Sequence, residues 1–164
     1  MKIALFRSHR HDPLSFAIDA LTRGGYCHAG VWDEKTKRLV EAYWPAVRER
    51  SLSPGEEADI DFFRVAGWTP AMEAAAQAYC DEAIAAHEPY SIAGLFRFLA
   101  PARVFLGDGQ EGNAKLPTFC SQFAFEVVQH AGGIRLQNAP SYEVDPTHLS
   151  WSPLLIRETI WETP

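Results

Sequence analysis

Residues 26–44, YCHAGVWDEKTKRLVEAYW, read as two strands joined by a polar turn. YCHAGVW (26–32) is aromatic and β-branched, DEKTKR (33–38) is polar, and LVEAYW (39–44) returns. A short polar link between two such runs predicts an antiparallel hairpin. Two polar residues interrupt the apolar pattern. His28 stands beside the small Ala29 and Gly30, and Glu41 stands between Val40 and Ala42. With a symmetric turn, His28 faces Tyr43 across the pair, and Glu41 is its diagonal neighbour on the same face. Each residue has a plain reading. A buried histidine can satisfy its ring on the backbone, and a strand glutamate can simply face water. Taken together they have a chemical reading: a carboxylate bonded to an imidazole fixes its tautomer and supports the imidazolium.

Working outward, KIALF (2–6) is a strand. Asp12 and Pro13 have the form of an N-cap and first helical residue, opening a helix with Leu14, Phe16, Ala17, Ile18 and Leu21 that stops at Gly24-Gly25. Downstream, AVRERSL stays extended and DIDFFRV (59–65) is a further strand. Thr69-Pro70 opens a helix reaching Ala86, with Cys80 in its core-facing part. YSIAGLFRFL (90–99) forms a second apolar helix, and the glycine-rich 106–116 reads as a mobile loop, with a lid and an inert connection as its two alternatives. NAPSYEVDPTHLSWSP (138–153) is irregular, and LLIRETI (154–160) is a closing strand. Strands and helices are segregated along the chain. That order predicts an α+β fold, an antiparallel sheet packed against helices, in one domain over 1–164.

The net charge of -6 among 164 residues speaks against a nucleic-acid partner. Three dispersed cysteines, Cys27, Cys80 and Cys120, do not make a disulfide framework and suit a reducing compartment. The N-terminal apolar run is too short for a signal peptide, and no run reaches the length of a membrane span. A soluble, cytoplasmic protein is therefore expected.

Residues 117–132, PTFCSQFAFEVVQHAG, place Phe123, Ala124, Val127, Val128 and Ala131 at helical spacing. Cys120 falls in the first turn. A helix start carries about half a positive charge. It favours the thiolate and offers backbone N–H groups to an oxyanion. The competing reading is a small buried core residue. A nucleophile also needs a base. Of six histidines, His9 and His11 sit in an N-terminal loop, His87 ends a helix and His148 lies in the irregular run. His130 is about two to three helical turns from Cys120. His28 remains. Cys27 is its sequence neighbour, points to the opposite face and reads as core. Zinc on Cys27, His28 and Cys120 lacks any CxxC or HExxH spacing.

With those residues in hand, the chain resembles a circularly permuted papain-like family. It is similar to the YiiX-like or lecithin:retinol acyltransferase-like branch of the NlpC/P60 superfamily. GGYCHAGVW resembles its histidine strand, and LVEAYWPAVRERSL the strand with an acid, a proline and a basic tail. EPYSIAGLF resembles a tyrosine segment, TFCSQFAFEVVQHAG the cysteine helix, and PTHLSWSP the stretch near the C-terminus. The resemblance implies a permuted papain-like fold with Cys120 as nucleophile, His28 as base and Glu41 as its orienter. Tyr90 would match a tyrosine lining the site. It further implies cysteine-dependent hydrolysis of an amide or ester through an acyl-enzyme, or acyl transfer, without a cofactor. Trp32, Tyr43, Trp44, Phe96 and Phe98 are candidates for an apolar substrate groove, with core packing as the alternative. The expected partner is a peptide-like or N-acyl substrate, with peripheral lipid contact as a further expectation and no nucleic acid. An inactive binding module of the same fold and a Cys/His metal protein are the competing functions.

Overall fold

The alternation of apolar residues in the strands sorts them onto two faces, and both faces are buried. The structure, a computed structural model, describes residues 1–7, 25–92 and 117–158. Its strands are β1 (Lys2–Arg7), β2 (Tyr26–Asp33), β3 (Arg38–Tyr43), β4 (Ala46–Arg50), β5 (Ile60–Val65) and β6 (Leu155–Arg157). They form one sheet in the order β4-β3-β2-β1-β5-β6, antiparallel throughout. The helices are α1 (Pro70–Ala85), α2 (Cys120–Gly132) and the short α3 (Pro146–Ser150). This is an α+β architecture.

One face carries Leu5, Ala29, Val31, Val40 and Phe63. It packs against Ala76, Cys80 and Ala83 of α1 and Phe123, Ala124 and Val127 of α2. The other face gathers Ala4, Trp32, Leu39, Ile60 and Phe62 into a second, smaller core, with Phe6 and Leu52 against it. Gly30 makes the close approach of β3 possible. A Cβ there would lie 2.9 Å from Leu39 Cδ1 and 3.4 Å from Glu41 Cβ.

The helix ends follow local rules. The Thr69 hydroxyl accepts from the Met72 N–H, and Pro70 opens α1 where its missing N–H costs nothing. Gly133, at φ 64°, closes α2 with an N–H that donates to the Gln129 carbonyl. Two sequence expectations need correction. The stretch read as irregular contains α3, which the Asp145 carboxylate caps by accepting from the His148 N–H before Pro146. That is the same acid-proline opening read at Asp12-Pro13. The closing strand is only Leu155–Arg157. The expected helix over 14–21, most of that over 90–99, the loop 106–116, and His9, His11, Phe96 and Phe98 lie outside the described residues. Among the described residues, no helix is long and apolar enough to cross a membrane.

Candidate active site

The β2–β3 hairpin sets the site. Its pairing runs Val31↔Val40, Trp32↔Leu39 and Asp33↔Arg38. The same register carried two pairs further puts Ala29 opposite Ala42, and the next puts His28 opposite Tyr43. The two rings meet edge-on with centroids 6.0 Å apart. Glu41 lies on the diagonal, and its Oε2 is 2.9 Å from His28 Nε2. A carboxylate only accepts, so Nε2 carries the hydrogen. The symmetric turn thus delivers the expected neighbour.

A bulge adjusts the histidine. Phe6 pairs with His28 and Arg7 with Tyr26, leaving Cys27 as the extra residue of β2. Bulges re-aim side chains next to functional sites. Cys27 itself is buried, with Sγ 3.6 Å from the carbonyls of Phe6 and Arg7. The Phe6 ring packs on the imidazole at 5.1 Å.

Cys120 is the first residue of α2 and is buried. Phe119 before it is extended and its side chain offers no cap. The first-turn N–H groups point out of the helix, where an acceptor can reach them. The Cys120 sulfur lies close enough to the His28 ring to act on its charge. With Nε2 bonded to Glu41, Nδ1 is the ring nitrogen open to it. A short lace of backbone bonds holds this arrangement. Tyr90 N–H donates to the Pro45 carbonyl at 2.9 Å, Ser91 N–H to Thr118 at 2.7 Å, and Thr118 N–H to Pro89 at 2.9 Å. It joins the β3–β4 turn to the start of α2 and brings Tyr90 to the cysteine. Burial, then the proximity of Cys120 and Tyr43, pushes the Tyr90 phenol up.

The charges reinforce one another. Burial works against the imidazolium, but the Cys120 sulfur, followed by Glu41, raises His28 to about 10. Burial likewise opposes the Glu41 carboxylate. The bonds from His28, Arg50 and Arg48 outweigh it and hold the group down at about 2. Glu41 is only 1% exposed. At Cys80 burial dominates: it outweighs the nearby Arg38 and, with Asp81, pushes the thiol up to about 12.

The structure bonds His28 to Glu41 and places Cys120 near enough to act electrostatically on both His28 and Tyr90. Of the aromatic candidates, Trp44 and Tyr43 are exposed beside the site. Trp32 is placed differently. It is buried in the second core, 5.9 Å from Phe62, and is not free to line a groove. It shares the strand face of His28 but lies four residues further into the sheet. His130 stacks on Tyr79, and His148 pairs with Asp145. Arg48 and Arg50 were not among the sequence candidates. The signal was there in AVRERSL, where two arginines two residues apart share one face of the strand beside Glu41. Among the described residues, no group of three or more His, Cys, Asp or Glu is placed to hold a metal ion.

Comparison with models of known families gives no match, and no curated protein matches the chain.

Proposed function

We propose that the protein is a cysteine-dependent hydrolase or acyltransferase of permuted papain-like fold, acting on a peptide-like or N-acyl amide or ester. The observation that carries this reading is the His28 ring, held by Glu41 on one nitrogen, with the Cys120 sulfur at the start of α2 close enough to act on its charge. In the proposed cycle the Cys120 thiolate attacks the carbonyl carbon of the scissile bond. The carbonyl electron pair moves onto oxygen, where the uncapped N–H groups at the start of α2 stabilise it. As the tetrahedral intermediate collapses, the imidazolium gives its proton to the leaving amine or alcohol, and a thioester remains. The neutral imidazole then takes a proton from water, whose oxygen attacks the thioester. The acid leaves, and the thiolate–imidazolium pair is restored. A second alcohol or amine in place of water gives acyl transfer. Glu41 touches no reacting atom and acts by orienting His28 and balancing its charge.

Iodoacetamide labelling against pH, with mass spectrometry assigning each cysteine, tests this reading. Rapid labelling of Cys120 well below pH 8, lost or shifted upward in His28→Ala, is the expected result. An ordinary thiol profile that His28→Ala leaves alone overturns it.

A further inference from the structure

The third member of this site is unusually crowded. Glu41 Oε1 accepts three hydrogen bonds from two arginines. Arg48 donates through Nε at 2.9 Å and Nη2 at 2.8 Å, and Arg50 through Nε at 2.9 Å. The register explains the convergence: Arg48 stands directly opposite Glu41 on β4, and Arg50 stands opposite Leu39, one diagonal step away. Each arginine is itself braced. The Arg48 guanidinium lies 3.8 Å above the Tyr43 ring, which in turn meets His28 edge-on. Arg50 forks onto both oxygens of Glu56, and Glu56 also accepts from the Ser53 N–H.

We propose that Arg48 and Arg50 are positioning residues for this site: they saturate Glu41 Oε1, aim Oε2 at His28 and offset the carboxylate's charge on the imidazolium. The inference rests on the hydrolase reading above. Its physical basis is a conflict within the site. His28 faces the Glu41 carboxylate on β3 and the Cys120 sulfur on α2, with the Tyr43 and Tyr90 phenols nearby. Anions stabilise the imidazolium. An imidazolium stabilised too far is a poor proton donor to a leaving group, because general acid catalysis works best near the operating pH. Two guanidiniums on the far oxygen counter part of that field without removing the bond that orients the ring. Glu56 in turn tempers the charge of Arg50.

The position of the His28 titration separates this role from plain structural support. It is followed by nitrogen-resolved NMR of the imidazole in the full chain. Arg48→Gln and Arg50→Gln each remove a cation, so each is expected to raise the titration, by about half a pH unit. Arg50→Lys keeps the charge and is expected to leave it within about 0.2 unit of the parent. If the arginines merely prop the strand, their loss loosens Glu41 and the titration falls. A fall, or no change in both glutamine variants, overturns the proposal. Arg48 is the more exposed of the two, and its variant carries the test if Arg50→Gln does not fold. Cys120→Ala reports on the underlying reading: it should lower the His28 titration, and an unchanged value there refutes the thiol–imidazole pair whatever the arginine variants do.

Discussion

Glu41 and Glu88 are both glutamates with 1% of their surface exposed, and the protein treats them in opposite ways. Glu41 receives His28, Arg48 and Arg50 and stays ionised down to about pH 2. Glu88 has an Oε2 with no hydrogen-bond partner among the described residues. Burial first, and then repulsion from Glu126 and Glu82, pushes its carboxyl up to about 8. Burial alone does not determine the charge of a carboxyl. What decides it is whether the fold aims donors at the group. On β3 a neighbouring strand supplies them in register. Just past α1, where the Glu88 N–H closes onto the Ala83 carbonyl, no donor among the described residues bonds the side chain. The same contrast separates the cysteines: Cys120 has the His28 ring close by, whereas at Cys80 burial outweighs the nearby Arg38 and holds the thiol neutral.

The largest expected effect falls on the ionised side of this comparison. Cys120→Ala and His28→Ala should each cost at least about a thousandfold in kcat/KM on any amide or ester the protein turns over. Circular dichroism should show both variants folded. Residual activity near the parent's in Cys120→Ala would leave the hydrolase reading without its nucleophile.

Glu41→Gln should cost less, about ten- to a hundredfold. The amide keeps one hydrogen bond to the ring but loses the charge that supports the imidazolium. It should also lower the pH at which His28 loses its proton from about 10, moving the alkaline limb of activity down. A loss equal to that of His28→Ala in a folded protein would contradict this ranking.

Stability should depend on pH with opposite signs at the two glutamates. Glu41 has a folded pKa below its unfolded one, so its contribution is full above about pH 4.5 and is lost as pH falls toward 2. Glu88 has a folded pKa above its unfolded one. Its favourable contribution is present below about pH 4.5 and is lost as pH rises through 8. Urea unfolding at pH 5.5 and 8.5 reads the second term directly. Glu88→Gln should remove about 3 kcal/mol of the parent's loss between those pH values. An unaltered pH dependence would mean that Glu88 finds a partner when ionised.

The smallest effect is a control on local structure. Thr69→Ala removes the cap of α1, far from both glutamates in role, and should cost about 1 kcal/mol in unfolding free energy with Cys120 labelling unchanged. A changed labelling rate would show that α1 and the site are coupled through the shared core.

Much of this was legible along the chain because it is local. The hairpin over 26–44, the Thr69-Pro70 opening of α1 and the start of α2 at Cys120 rest on periodicity and capping within a few residues of each signal. The diagonal from His28 to Glu41 followed from turn symmetry alone. Other features depend on which elements meet. That Cys27 is the extra residue of a bulge appears only when β2 is laid against β1. Trp32 and His28 share a face in sequence, yet one is core and the other site, because the second core closes over Trp32 and not over the strand's beginning. The arginine clamp needed β4 beside β3 in one particular register. The ionisation of the two buried glutamates is likewise a tertiary result. Sequence names a carboxyl and the tendency of its strand or helix to be buried; the donors that set its charge come from other elements, and only packing brings them within bonding distance.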